Sequence, residues 1–147
     1  METYIKTIDE LSNKELYAIL RARTEIFVVE QNCPYQELDN LDFQSYHVYF
    51  KENGEISAYL RIVPPGIRFD ELSFGRIFTA KEYRGKGLGL EIVKKGIKTA
   101  EMIFGKCAIR IAAQKYACGF YEKLGFVKDS DEFDEDGIIH IEMIKKQ

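Results

Sequence analysis

The part of this sequence best suited to chemistry is a glycine-rich stretch between an apolar segment and a long amphipathic one. It reads Arg84-Gly85-Lys86-Gly87-Leu88-Gly89 and follows a strand predicted over 74–80. Glycines at alternate positions let several backbone N–H groups point into one concavity, and the start of a helix adds the positive end of its dipole. Such an arrangement binds phosphate, and Arg84 and Lys86 would add positive charge.

Two common nucleotide-binding motifs do not fit this stretch. Dinucleotide binding requires GxGxxG in an early βαβ unit, whereas the glycines here are spaced GxGxG and lie late in the chain. A P-loop requires Gly-Lys followed by Ser or Thr, but Lys86 is followed by Gly87. The spacing therefore predicts a phosphate-containing ligand of another kind.

Length and composition predict a single domain over residues 1–147. The chain is 46% hydrophobic, enough for one ordinary core. Its net charge of −3 and its pI near 5.5 favour neither a nucleic-acid nor an anionic-membrane partner. The sequence starts unlike a signal peptide and has no run of 18 apolar residues, so we expect a soluble, cytoplasmic protein.

The three cysteines, at positions 33, 107 and 118, fit neither zinc-ligand nor CxxC spacing. We therefore expect reduced thiols and no metal site, and a catalytic cysteine is the alternative.

Hydrophobic periodicity predicts the element order β-α-β-β-β-α-β-α-β-β. A capping box at Ser12 and Glu15 should start the first helix, which we expect to end near Val29 before Pro34. The strand, helix and strand over 74–113 imply a parallel crossover, and the hairpins imply antiparallel neighbours. The predicted fold class is thus α/β (α+β), a mixed sheet with helices on its faces. The other predicted strands are 4–8, 46–51, 55–63, 126–128 and 138–144, the other helices are 87–105 and 117–124, and 129–136 is predicted as an acidic loop.

The glycine stretch fits Arg/Gln-x-x-Gly-x-Gly/Ala, and it resembles the acetyl-CoA pyrophosphate loop of the GCN5-related N-acetyltransferases (GNATs). The second half of that family's signature follows at the right distance. The resemblance is closer still to the ElaA-type branch and covers almost the whole chain. Departures are Gln114 for a frequent asparagine, Tyr116 for an expected histidine and Lys81 for a common proline. The residues that carry the resemblance are Gln114, Ala117, Phe120, Tyr121, 124–126 (LGF), 25–35 (EIFVVEQNCPY), 58–61 (AYLR), 75–77 (GRI) and 135–143 (EDGIIHIEM).

This resemblance implies the GNAT fold, a mostly antiparallel sheet with helices on both faces. Its central parallel pair, formed by the strand that ends at Ala80 and the strand over 108–113, would splay into a V that holds acetyl-pantetheine. One backbone N–H near 77–79 would polarise the thioester carbonyl. The implied cofactor-binding residues are Ile77, Phe78, Thr79, Arg84, Gly85, Lys86, Gly87, Leu88, Gly89, Gln114 and Phe120.

The function that the resemblance implies is transfer of an acetyl group from acetyl-CoA to a primary amine by direct attack in a ternary complex. Tyr121 would be the general acid that protonates the leaving thiolate; its alternative is an ordinary core aromatic. The acceptor would be a small-molecule or peptide amine, and homodimers are common in the family. Two alternatives stay open: a CoA-binding module without transfer activity, and a transferase of another acyl group or to an oxygen nucleophile.

The attacking amine must be neutral, so a base or a water chain has to take its proton. Glu30, His47, His140 and Glu142 are the candidates. In the last strand, a period of two places His140 and Glu142 on one face, and a histidine titrates near neutral pH. The alternatives are an ordinary polar face for these two and solvation of a helix end for Glu30.

Arg61 and Arg76 lie in adjacent predicted central strands, where a guanidinium needs a partner. They would bind a carboxylate or phosphate of the acceptor, or form internal salt bridges. The run 129–136 carries six acidic residues in eight. It would attract a cationic acceptor or form a solvated loop.

Overall fold

Eight strands form one mixed sheet in the computed structural model, which describes residues 1–146. The spatial order is β1-β2-β3-β4-β5-β8-β6, and β7 pairs with β8 beside this path. All pairs are antiparallel except β4 and β5. The strands are β1 (Glu2–Thr7), β2 (Tyr46–Glu52), β3 (Glu55–Val63), β4 (Leu72–Thr79), β5 (Ile109–Gln114), β6 (Val127–Lys128), β7 (Phe133–Glu135) and β8 (Ile138–Lys145).

Three α-helices connect these strands. The predicted capping box starts α1: the Ser12 hydroxyl accepts from the N–H of Glu15 at 3.1 Å, and the Glu15 carboxylate accepts from the N–H of Ser12 at 2.9 Å. A π-helical turn, Glu25–Glu30, continues α1. Such turns are frequent at functional sites, and the apolar spacing did not predict this one. The helices are α1 (Asn13–Thr24), α2 (Leu88–Phe104) and α3 (Cys118–Glu122), and short 3-10 turns occupy Ile8–Glu10, Leu41–Gln44, Lys81–Tyr83 and Lys115–Ala117.

The sheet is split between β4 and β5. These parallel strands pair only at Leu72 with Ile109 and at Ser73 with Arg110. Beyond this point β5 stays paired with β8 along its whole length, whereas β4 stays paired with β3. The mixed, mostly antiparallel sheet with a splayed parallel pair is therefore confirmed.

The two faces of the sheet carry separate apolar clusters. On one face α1 and the π-helical turn pack Ile19 and Ile26 against Tyr49 and Tyr59. On the other face α2 packs against β3 so closely that a Cβ at Gly96 would lie 2.9 Å from Leu60 Cδ1. Helices thus cover both faces, as predicted.

Three further predictions concern the β2–β3 turn, the acidic loop and membrane-spanning segments. Asn53 and Gly54 take positive φ angles of 53° and 77° in the β2–β3 hairpin, as the turn residues predict. The predicted acidic loop is wrong in part, because Phe133–Glu135 forms β7 against the start of β8. Among residues 1–146, no helix is long and apolar enough to cross a bilayer.

Candidate active site

The split in the sheet opens a cleft of about 840 Å³ between β4 and β5. Its floor comes from the two strands, and its walls come from segments that reach over them from both faces. The lining is formed by 26–27, 30–31, 33, 35–36, 39, 68, 74–79, 84, 89, 111–114, 116–117, 120–121, 135–136, 138 and 140. Within residues 1–146 no group of His, Cys, Asp or Glu is arranged to hold a metal ion.

The glycine loop lies at one end of this cleft and leads directly into α2. Gly85 and Gly87 have φ angles of 82° and 78°, and a Cβ at either position would meet nothing within 4 Å. Gly87 is the N-cap of α2, whose first amides have no intrahelical acceptor. Arg84 and Gly89 line the cleft. The loop therefore offers open space, unpaired amides and a helix dipole to an anion, which fits a pyrophosphate group.

Arg84 is held in place at the mouth of the cleft by two contacts. Its Nε donates to the carbonyl oxygen of Thr79 at 3.1 Å, and its Nη1 lies 2.9 Å from the carboxylate of Glu30. Both side chains of this ion pair are about 40% exposed. Glu30 thus faces the glycine loop from the end of the π-helical turn.

The cleft side of β4 presents backbone without a strand partner from residue 74 onward. Ile77, Phe78 and Thr79 lie here, beside a β-bulge. Tyr59 pairs with Phe78 but Arg61 pairs with Gly75, so β4 carries one extra residue at this point. Arg76 in the bulge has a φ of +53°, an unusual conformation for an arginine. Bulges re-aim the strand next to active sites, and this one adjoins the residues expected to contact the thioester.

Tyr121 lies in the cleft wall with its ring packed edge-on against Phe120 and Phe126, at centroid distances of 5.1 and 5.8 Å. Burial raises the pKa of its hydroxyl, so the group stays protonated at neutral pH. Among residues 1–146, no protein group forms a hydrogen bond with that hydroxyl. Tyr121, whose hydroxyl has no protein partner within residues 1–146, therefore lines the cleft.

Gln114, at the end of β5, forms a paired amide contact with Gln31. The two Nε2–Oε1 distances are 3.1 and 3.4 Å. Gln31 follows the π-helical turn, so this pair joins that turn to β5 across the cleft. The sequence suggested a role for Gln114 but not this contact, because the two glutamines lie 83 residues apart.

His140 is the buried histidine of the cleft. Its Nδ1 lies 2.7 Å from the carbonyl oxygen of Ile138, and since a carbonyl only accepts, Nδ1 carries the proton. The ring stacks on Phe133. Nε2 is left with its lone pair, 3.6 Å from the carboxylate of Glu135. This arrangement leaves one ring nitrogen able to take a proton.

The other two base candidates lie outside the cleft lining. His47 is completely buried, with Nδ1 2.7 Å from the Tyr59 hydroxyl and Nε2 3.2 Å from the carbonyl of Asp42. Burial lowers the pKa of His47. Glu142 pairs with Arg110 at 3.0 Å. His47 and Glu142 are thus held by structural contacts away from the cleft.

Arg61 and Arg76 are anchored by carboxylates from the segment that follows the π-helical turn. Arg61 makes two 2.8 Å contacts with Asp39, and Arg76 lies 2.7 Å from Glu37 and 3.2 Å from Asp39. Burial opposes ionisation of Asp39, but the bonds from the two arginines outweigh it and lower the pKa of Asp39 to about 2. Arg61 therefore forms internal salt bridges, which was one of its two predicted roles. Arg76 forms them too, but it also lines the cleft.

Behind these pairs, Arg23 of α1 extends the same network. Its guanidinium lies 2.6 Å from Glu37 and 2.6 Å from Asp42, and the arginine is fully buried. Asp42 also accepts from Arg61 at 3.2 Å. We call Arg23, Glu37, Asp39, Asp42, Arg61 and Arg76 the buried charge network. It fixes the segment 37–42 over β3 and β4, and sequence spacing gave no sign of it.

Arg68 and Cys33 also line the cleft. The sequence suggested no role for Arg68, and for Cys33 it suggested a reduced thiol, with a catalytic cysteine as the alternative. Arg68, in the turn between β3 and β4, lies 3.5 Å from Glu135. The Cys33 thiol donates to the carbonyl of Asp136 at 3.1 Å, and burial raises its pKa. A thiol with a raised pKa is a poor nucleophile, so Cys33 ties its loop to the β7–β8 turn instead.

Comparison with known proteins gives matches over nearly the whole chain. Residues 9–147 match the family model described as an acetyltransferase (GNAT) domain. A UPF0039 protein of Synechocystis is 39% identical, over 92% of this chain and 89% of its own. Protein ElaA of Escherichia coli is 34% identical over 93% and 91%, and its crystal structure superposes with a TM-score of 0.92 over 99% of both chains. An acyl-CoA N-acyltransferase from Pseudomonas aeruginosa is 36% identical, with a TM-score of 0.93 over 98% of both.

Proposed function

The chain belongs to the GNAT acetyltransferase family, in its ElaA-type branch, and from that premise we propose that it transfers an acetyl group from acetyl-CoA to a primary amine. The observation that carries this proposal is the split between β4 and β5, which opens after Ser73 and has Arg84, Gly89 and Tyr121 in its lining. Acyl transfer from a CoA thioester is the chemistry of the family. The acetyl group, the amine and the roles below are our assignments.

The cofactor half of the site binds mainly through its backbone. The amides from Gly85 to Gly89 and the dipole of α2 hold the pyrophosphate, with Arg84 and Lys86 adding charge. The unpaired edge of Ile77, Phe78 and Thr79 bonds the pantetheine amides as a neighbouring strand would. Gln114 and Phe120 close the opposite wall. One N–H of this edge stabilises the negative charge that develops on the thioester oxygen.

His140 acts as the base in this proposal. Nε2 takes the proton of the attacking amine while the new N–C bond forms and the C–S bond breaks. The carboxylate of Glu135, 3.6 Å away, stabilises the imidazolium that results. Glu30 is the alternative base, but its ion pair with Arg84 engages it at the cofactor end.

Tyr121 acts as the acid and donates its proton to the departing thiolate. A thiol has an ordinary pKa of about 8.5, below that of tyrosine, so the thiolate already leaves tolerably well. The raised pKa of Tyr121 widens this difference. The hydroxyl therefore contributes a moderate share of the rate, and it recovers its proton from water.

Two measurements on the purified protein test the proposal. Titration calorimetry should detect acetyl-CoA binding at micromolar concentrations, and thiol release should exceed hydrolysis with at least one member of a panel of primary amines. Absence of acetyl-CoA binding would overturn the central claim. Binding without turnover for any amine would favour a CoA-binding module, and preference for a longer acyl-CoA would reassign the donor.

A further inference from the structure

We propose that the acceptor is an amine that also carries a carboxylate, such as a free amino acid, and that Arg68 binds this carboxylate. The inference rests on the proposed transferase function and names its acceptor class. Arg68 lies at the end of the cleft away from the glycine loop, in the turn before β4.

The Arg68 guanidinium lies over Gly75 of β4, where an added Cβ would be 3.8 Å from Arg68 Nη1 and 3.9 Å from Arg61 Nη2. Gly75 itself lines the cleft. The Arg68 guanidinium therefore lies close to the cleft floor at Gly75.

The Arg68 guanidinium has a longer carboxylate contact than its neighbour Arg61. Arg61 has two 2.8 Å contacts with Asp39, whereas Arg68 lies 3.5 Å from Glu135, whose side chain is 41% exposed. Burial lowers the pKa of Arg68; the charges of Glu135 and Asp39 oppose this, and those of Arg76 and Arg61 add to it. A bidentate carboxylate would relieve this repulsion, because guanidinium and carboxylate match in geometry and charge.

Gly75 and Ile77 are close enough for one small acceptor to contact both. They are two residues apart on β4, so even a fully extended strand would separate them by at most about 7 Å, and the bulge at Arg76 departs from that extended form. In an α-amino acid only one carbon separates the amine nitrogen from the carboxylate carbon. A carboxylate bound to Arg68 therefore brings the amine close to the backbone expected to hold the thioester.

Polycationic acceptors find little free counter-charge at this end of the cleft. Asp39 faces Arg61 and Arg76, and Glu135 faces Arg68, so a polyamine would have to break these pairs or rely on Asp136, which lines the cleft and has no ion pair within residues 1–146. The carboxylate of an amino acid instead competes with the 3.5 Å contact between Arg68 and Glu135.

The test uses matched trios of acceptors with the full-length protein: an amino acid, its carboxamide and its decarboxylated amine. Thiol release should give the carboxylate member the highest kcat/KM. Arg68→Gln should lower that value by about 10- to 100-fold while changing the carboxamide and the amine little. Arg110→Gln is the control, because this arginine is ion-paired to Glu71, Asp129 and Glu142 outside the cleft lining. It should leave the preference unchanged.

Binding to the protein–CoA complex, measured by calorimetry, separates this inference from the transferase function. The amino acid should bind more tightly than its carboxamide even if no amine is turned over. Glu135→Gln should tighten amino-acid binding several-fold, since it removes the competing charge. Preference for the amine or carboxamide, or an equal loss for all three members in Arg68→Gln, would overturn the inference.

Discussion

In the proposed function, the two ends of the cleft bind their ligands by different means. The cofactor half, formed by the end of β4, the loop 84–89 and the start of α2, offers glycines, unpaired amides and a dipole. The acceptor half, formed by 31–45, the turn 64–71 and the β7–β8 hairpin, offers side chains held by ion pairs. Backbone recognition depends on local conformation and tolerates changes of side chain. The acceptor half depends on contacts between segments that are distant in the sequence, so its specificity can change while the cofactor half stays the same.

The largest predicted effect comes from breaking the buried charge network that supports the acceptor half. Arg23→Met would leave Glu37 and Asp42 buried with only part of their compensation, from Arg76 and Arg61. Removing one partner of a buried pair costs about 3 to 5 kcal/mol. We expect the free energy of unfolding, measured by urea denaturation, to fall by that amount.

The control for this variant is an exposed ion pair. Lys115→Met removes the partner of Glu132, where both side chains are at least half exposed. It should change the free energy of unfolding by less than about 1 kcal/mol. Equal effects of the two substitutions would mean that the network does not hold the acceptor half in place.

Tyr121→Phe tests the proposed general acid, which lies between the two halves of the cleft. Loss of the proton donor should lower kcat about 10²-fold, at the low end for general acid catalysis, because the thiolate leaves tolerably well alone. Acetyl-CoA affinity should be nearly unchanged, since the ring and its contacts with Phe120 and Phe126 remain. Stopped-assay turnover and calorimetry measure the two quantities. Tyr17→Phe, on the exposed surface of α1, is the control, and an unchanged kcat in Tyr121→Phe would remove the acid role.

Two glycines with the same backbone conformation can distinguish an effect on acetyl-CoA binding from an effect on stability. Gly87 and Gly54 have φ angles of 78° and 77°, and neither would place a Cβ within 4 Å of another atom. Alanine at either position should cost about 1 to 2 kcal/mol of stability, because an L-residue is strained at positive φ. Only Gly87→Ala should also weaken acetyl-CoA binding in calorimetry. A loss of affinity in Gly54→Ala of the same size would show that the effect is not local.

The same distinction explains which features the sequence predicted. Periodicity, the capping box and the Asn53–Gly54 turn are local signals, and the fold class drawn from them and from the family resemblance is confirmed. The glycine loop is also a local signal, so its position at the start of a helix could be predicted. The partners of Arg61 and Arg76 could not be predicted, because Glu37 and Asp39 reach them only through the folded path of 31–45. β7 was missed because its acidic residues resemble a solvated loop, although pairing with β8 decides its structure.

The smallest predicted effect is the pH dependence that His47 gives to the acceptor half. Its neutral ring satisfies both partners: Nε2 donates to the Asp42 carbonyl and Nδ1 accepts from the Tyr59 hydroxyl. Burial lowers its folded-state pKa below the ordinary value of about 6.5, and the charges of Arg23 and Arg61 add to this against the opposing effect of Asp42. Below that value the unfolded chain binds a proton that the folded protein does not. The stabilisation is therefore present above pH 6.5 and is lost as the pH falls.

His47→Gln isolates this contribution, because glutamine is neutral and can both donate and accept. Urea denaturation between pH 7.5 and 5.5 should show the wild type losing about 1 kcal/mol more than the variant, within the limit of about 1.4 kcal/mol per pH unit for one proton. The carboxylates that titrate in this range are common to both proteins and cancel in the difference. Parallel curves would mean that His47 is protonated alike in both states, and that the buried charge network tolerates a further positive charge beside Arg23 and Arg61.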